Sequence, residues 1–110
     1  MIKDTISNIE KNIQESTTIN EEKKKELLGL VDSLKNEVLN LSETHKEKAK
    51  SLANLARETT QAAVQSDKNE SQFDHLMDSL SKSVMEFEAS HPKLVGVVNS
   101  ICTSLSNSGF

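Results

Sequence analysis

From Asn20 to about Gln65 the chain repeats apolar or small residues at alternating steps of four and three: Leu27, Val31, Leu34, Val38, Leu41, then Leu52, Leu55, Thr59 and Ala62. Those steps trace one stripe along an α-helix, a heptad seam of the coiled-coil kind. His45 and Lys48 fall in register on the same seam and are its two polar interruptions. The stretch contains no proline, and Gly29 is its only glycine. The pattern predicts one helix of about 45 residues, roughly 65–70 Å long at 1.5 Å per residue. A helix of that length leaves the other segments only the choice of which part of it to pack along. Asn40-Leu41-Ser42-Glu43-Thr44-His45 is its weak point, because Ser42 is able to cap a fresh helix. A continuous helix over 20–65 is nonetheless the expectation.

Composition favours an extended arrangement. The chain has 110 residues, enough for one small domain (1–110), but only 35% are hydrophobic and the aromatics are three phenylalanines. A typical domain carries about 45–50% apolar residues when glycine is counted. Helices with narrow apolar stripes, buried between subunits, use so little material better than a single core does. The net charge is −4, and twelve of the thirteen cations are lysine, with Arg57 the one arginine. Arginine is the residue that reads phosphates and bases with two parallel hydrogen bonds, so its scarcity argues against a nucleic-acid partner. Runs such as Glu21-Glu22-Lys23-Lys24-Lys25-Glu26 are solvated helix faces with i,i+4 pairing. The single cysteine, Cys102, excludes an internal disulfide and sits on an apolar face beside Ile101 and Leu105 as a small buried hydrophobe. Met1-Ile2-Lys3-Asp4 opens no apolar signal segment and no 18-residue apolar run follows, so a cytoplasmic protein without a membrane segment is expected.

Around the long helix the sequence places three more. Ile2, Ile6, Ile9 and Ile13 make an isoleucine stripe over 2–15, ended by Ser16-Thr17-Thr18. Asn20 is the best N-cap for the long helix, with Glu21 and Glu22 in its first turn; Thr18 with Glu21 is a rival capping box. Ser66-Asp67-Lys68-Asn69 forms a turn, and a third helix over 70–89 carries Phe73, Leu76, Met77, Leu80, Val84 and Phe87. Ser90-His91-Pro92 breaks it, and a fourth runs from Pro92 to about Ser106, with Gly109 supplying its C-terminal stop. The expected architecture is all-α: an elongated antiparallel hairpin of four helices, coiled-coil-like, built on one long central helix. The third helix would lie against the second half of the long helix. The first and fourth would lie near its first half, leaving a two-helix end for a second subunit to cover.

Phe87-Glu88-Ala89-Ser90-His91-Pro92-Lys93-Leu94, followed by Leu105-Ser106-Asn107-Ser108-Gly109-Phe110, resembles the ending of a family of small bacterial all-helical proteins, a domain of unknown function. That family carries F-E-x-x-H-P-x-L and finishes in L-S-N-x-G plus an apolar residue. Ile19-Asn20-Glu21-Glu22 is similar to the start of its long helix. The resemblance covers about 76–110, with a weaker match over 19–40. It implies a bacterial source and brings no activity, substrate or cofactor.

Candidate chemistry is sparse. Glu88 and His91 form one E-x-x-H pair, the spacing that di-iron bundles use twice with two further carboxylates. Pro92 breaks the helix there, so His91 is expected to cap the last helix, and a metal site through Glu88 and His91 would need a symmetric dimer to supply a second pair. His45, a polar residue on the seam, is expected to set register. Asp74, His75 and Asp78 are read as solvated surface. Gly29, Gly96 and Gly109 stand alone, outside any phosphate-binding loop, and no nucleophile sits in a recognisable context. The expectation is a non-enzyme without catalytic, cofactor or metal residues, acting as a self-associating protein–protein interaction module, most simply a homodimer with an unknown protein partner. Its interface would lie on Leu52, Leu55, Ala56 and Ala63 of the long helix and on Leu94, Val98 and Ile101 of the last. A dimeric metal-binding bundle is the alternative, ahead of a nucleic-acid-associated regulator.

Overall fold

Two helices carry the heptad stripe, not one. A computed structural model describes residues 2–65 and 69–106. It contains α1 (Ile2–Gln14), α2 (Glu21–Ser42), α3 (Lys46–Val64), α4 (Glu70–Met85) and α5 (Pro92–Ser106). Helix accounts for 83% of the described residues, and no strand occurs among them. The all-α class holds, while the four-helix count, the single helix over 20–65 and the elongated shape are corrected. The molecule measures 37 × 24 × 21 Å, so a straight helix of roughly 65–70 Å has no room in it.

The break falls at Glu43–His45, and its cause is local. Hydroxyl side chains offer the backbone an alternative to helical bonding. Here Ser42 Oγ donates to the Leu39 carbonyl at 2.6 Å and Thr44 Oγ1 to the Leu41 carbonyl at 3.4 Å. The last turn tightens as Glu43 and Thr44 N–H donate to Asn40 and Leu41. His45 then leaves helical geometry (φ −136°, ψ 62°), and its carbonyl accepts from Ala49 N–H to start α3. The chain turns over Glu43, Thr44 and His45.

Folding back places α2 against α3, a contact that a continuous helix forbids. The expected neighbours are otherwise present: α4 lies on α3, and α1 and α5 lie on α2. The α1 stripe (Ile2, Ile6, Ile9, Ile13) bridges both halves of the broken helix, and all four isoleucines are buried. From α2, Leu27, Val31, Leu34, Val38 and Leu41 enter the same core. Ala49, Ala53, Ala56 and Ala63 are buried on α3, where side chains this small let α1, α2 and α4 all approach. Thr59 and Thr60 are buried too, but their hydroxyls donate to the Leu55 and Ala56 carbonyls, which removes the cost of burying them. His45 and Lys48, the two polar interruptions of the seam, are exposed at the corner.

Side chains secure the ends of several helices. Asn20 Oδ1 accepts from Lys23 N–H at 2.8 Å at the start of α2, and Asn69 Oδ1 from Gln72 N–H at 3.0 Å at the start of α4. Lys24 Nζ donates to the Gln14 carbonyl, answering one of the free carbonyls that end α1. Of the expected turn Ser66-Asp67-Lys68-Asn69, residues 66–68 lie outside the described residues, as does the stop at Gly109, and Asn69 caps α4. The third helix ends at Met85 instead of 89, because Phe87 and Glu88 N–H bond three residues back, to Val84 and Met85, in tight turns.

Candidate functional site

Two places on the surface gather polar or small residues in a way that packing alone does not demand. The first is the corner where the α2–α3 and α4–α5 connections meet. The break brings His45 there, and the turn before Pro92 brings His91. Their ring centres are 6.5 Å apart and nearly perpendicular, with Phe87 edge-on to both at 5.3 Å and 6.1 Å. Each imidazole meets the hydroxyl of the residue before it through Nδ1: His45 with Thr44 Oγ1 at 2.8 Å and His91 with Ser90 Oγ at 3.0 Å. Lys48 and Glu86 pair at 3.0 Å between α3 and the residue that follows α4. His91 sits before α5 and its carbonyl accepts from Leu94 and Val95 N–H, so the backbone, not the ring, meets the helix start. Glu88 is exposed on the preceding turn. Among the described residues no three His, Cys, Asp or Glu side chains converge on a point that a metal ion would occupy.

The second place is a shallow groove along the seam between α2 and α5. Toward one end it is lined by Lys23, Glu26, Gly29 and Leu30 with Thr103 and Ser104. Toward the other it is lined by Ser33, Glu37, Lys93, Gly96, Val97 and Ser100. Both glycines lie inside helices, and a Cβ added at either would meet nothing within 4 Å. No helix among the described residues needs their small size. Ser104, buried, donates to Glu26 Oε1 at 3.4 Å across the groove floor.

Most of the residues expected at a subunit interface are covered by the chain itself. Leu52, Ala56, Ala63, Leu94, Val98 and Ile101 are all 4% exposed or less, and Leu55 alone keeps partial exposure. The α3 stripe faces α1, α4 and the folded-back α2, and the α5 stripe faces α2 and α4.

Cys102 is buried, and burial pushes its thiol above the ordinary value against a weaker opposing pull from the Ser81 hydroxyl at 3.9 Å. Asp78 pairs with Lys82 one turn on, while Asp74 and His75 are exposed. Sequence reasoning missed the meeting of His45 with His91, since nothing in a straight helix places residue 45 near residue 91. It also missed Arg57, whose Nε is shielded from solvent without a hydrogen-bond partner.

The described fold is thus an all-α bundle of five helices whose core closes within one chain. The sequence model of a family described as a domain of unknown function (DUF4404) matches residues 27–110. The match covers well over half of the chain, and the chain belongs to that family. It takes in residues 87–94, while α1 and the Ile19-Asn20-Glu21-Glu22 stretch lie outside it. No curated protein and no solved structure matches. No helix among the described residues is long and apolar enough to cross a membrane.

Proposed function

We propose that the chain is a self-associating protein–protein interaction module whose docking face is the α2–α5 groove, and that the occupant is a second copy. The observation that carries this reading is the pair of mid-helix glycines, Gly29 and Gly96, opening onto empty space in one groove. Glycine inside a helix is about 1 kcal/mol less favourable than alanine. Nothing among the described residues repays that cost, whereas a helix backbone laid into the groove would.

The charge pattern suits a second copy. Lys23, Leu30 and Glu37 follow one another at seven-residue steps on one face of α2. An antiparallel pairing centred on Leu30 sets each Lys23 against the Glu37 of the other copy, and a twofold axis makes that contact twice. Light scattering coupled to size exclusion over a range of concentrations tests this. A dimer is expected, weakened by Lys23→Glu or Glu37→Lys alone and recovered in the double exchange. A monomer at every concentration overturns self-association. A dimer indifferent to both charge reversals overturns this face and leaves self-association in place.

A further inference from the structure

We propose that His45 and His91 form a two-histidine site, within a single chain, for a borderline divalent transition-metal ion of the Zn²⁺, Cu²⁺ and Ni²⁺ class. Such an ion would staple the α2–α3 corner to the α4–α5 corner. Imidazole nitrogens suit these ions, whereas Mg²⁺ and Ca²⁺ take oxygen ligands.

Three features of the corner support the site. The fold brings together two histidines that are far apart in the sequence and leaves both reachable, His45 exposed and His91 partly so. Each ring has its Nδ1 beside a hydroxyl, Thr44 or Ser90. A ring that donates Nδ1–H to an oxygen presents its Nε2 lone pair, the arrangement in which histidine ligates metals. Among the described residues neither Nε2 has a hydrogen-bond partner. Phe87, edge-on to both rings, restricts their orientations and so reduces the ordering that binding requires.

The distances are close to what an ion needs. Two imidazoles on one tetrahedral ion with metal–nitrogen bonds of 2.0–2.1 Å have ring centres roughly 5 Å apart, against the 6.5 Å observed. Binding would have to draw the exposed His45 ring toward His91 by about 1.5 Å. Water takes the remaining positions, and the acidic residues nearby in sequence are not required. The site therefore differs from a bundle that uses Glu88 and His91 across a dimer.

Calorimetric titration of tag-free, chelator-treated protein with ZnCl₂, CuCl₂, NiCl₂ and MgCl₂ tests the proposal, with imidazole NMR as a second reading. One Zn²⁺, Cu²⁺ or Ni²⁺ per chain is expected, with no response to Mg²⁺. The resonances of His45 and His91 should shift together in the unmodified protein while those of His75 stay in place. His45→Gln and His91→Gln should each weaken binding by about tenfold or more, with His75→Gln and Glu88→Gln unchanged. The melting temperature should rise with ion concentration in the unmodified chain and stay flat in the two ligand variants. No binding of the three ions at submillimolar concentration overturns the site. So does binding that survives His45→Gln, or a titration that moves His75.

Discussion

Gly29 and Gly96 separate two effects that a core residue would mix. Each lies inside a helix with open space where a Cβ would go. Gly29→Ala or Gly96→Ala should therefore stabilise the isolated chain by about 0.8–1 kcal/mol. The same methyl groups obstruct a helix entering the groove, so self-association should weaken as the melting temperature of the dilute protein rises. Thermal melts of dilute protein beside light scattering check both signs, and a loss of stability in either variant would mean that the glycine is packed. Gly29→Pro acts in the other direction, since it removes a backbone bond and clashes inside α2, for a loss of about 3 kcal/mol or more. Cys102 supplies a pH dependence. Burial, the larger effect, raises its thiol above the ordinary value in the folded chain. Above about pH 8.5 the unfolded thiol ionises while the folded one keeps its proton. The unfolded state then binds fewer protons, and stability falls as pH rises through that window. Denaturation midpoints from neutral to alkaline pH should decline less steeply in Cys102→Ala than in the unmodified chain. At this scale the sequence was legible wherever periodicity alone decides: it placed Cys102 on an apolar face, and that face is buried. The partner of His45 was illegible, because it depends on the path of the chain and not on the neighbours of residue 45.

Caps and corners decide the elements. Asn20 and Asn69 each accept a backbone N–H from the third residue along. Asn20→Ala and Asn69→Ala should each cost about 1 kcal/mol, read as a shift in the denaturation midpoint with an unchanged slope. Asn20 was visible beforehand because a capping residue directly precedes two glutamates and an apolar period. Where the long helix ends was harder to see. The heptad register runs through His45 and Lys48 without a slip, so the pattern alone reads as continuous. Two hydroxyls, Ser42 and Thr44, bonded to carbonyls of the preceding turn, accompany the break. The polar character of the two register positions reported that this part of the seam stays exposed. A continuous helix accommodates that by exposure, and this chain accommodates it by turning.

At the scale of the whole molecule, the break replaces a partner subunit with the chain's own other half. A straight helix leaves the Leu52–Ala63 face and the apolar girth of the last helix open to water, and each buried Leu or Val contributes about 1.5–3 kcal/mol. That reasoning predicted a fold completed by dimerisation. In the folded-back chain those same residues are covered by α1, α2 and α4 or by α2 and α4, so one copy completes the core. Self-association through the α2–α5 groove would therefore join subunits that are already folded, and dissociation and unfolding should be separate events. Dilution until light scattering reports monomers of 12.2 kDa should leave the helical circular dichroism and the melting curve of the chain in place. Small-angle scattering of those monomers should give a globular particle close to the 37 × 24 × 21 Å extents, not a rod. The Lys23→Glu variant, held monomeric at higher concentration, should melt within about 0.5 kcal/mol of the unmodified monomer, as expected of a surface change. Helicity lost in step with dissociation would show that the core needs its partner after all, and would return the interface to Leu52, Ala56 and Val98.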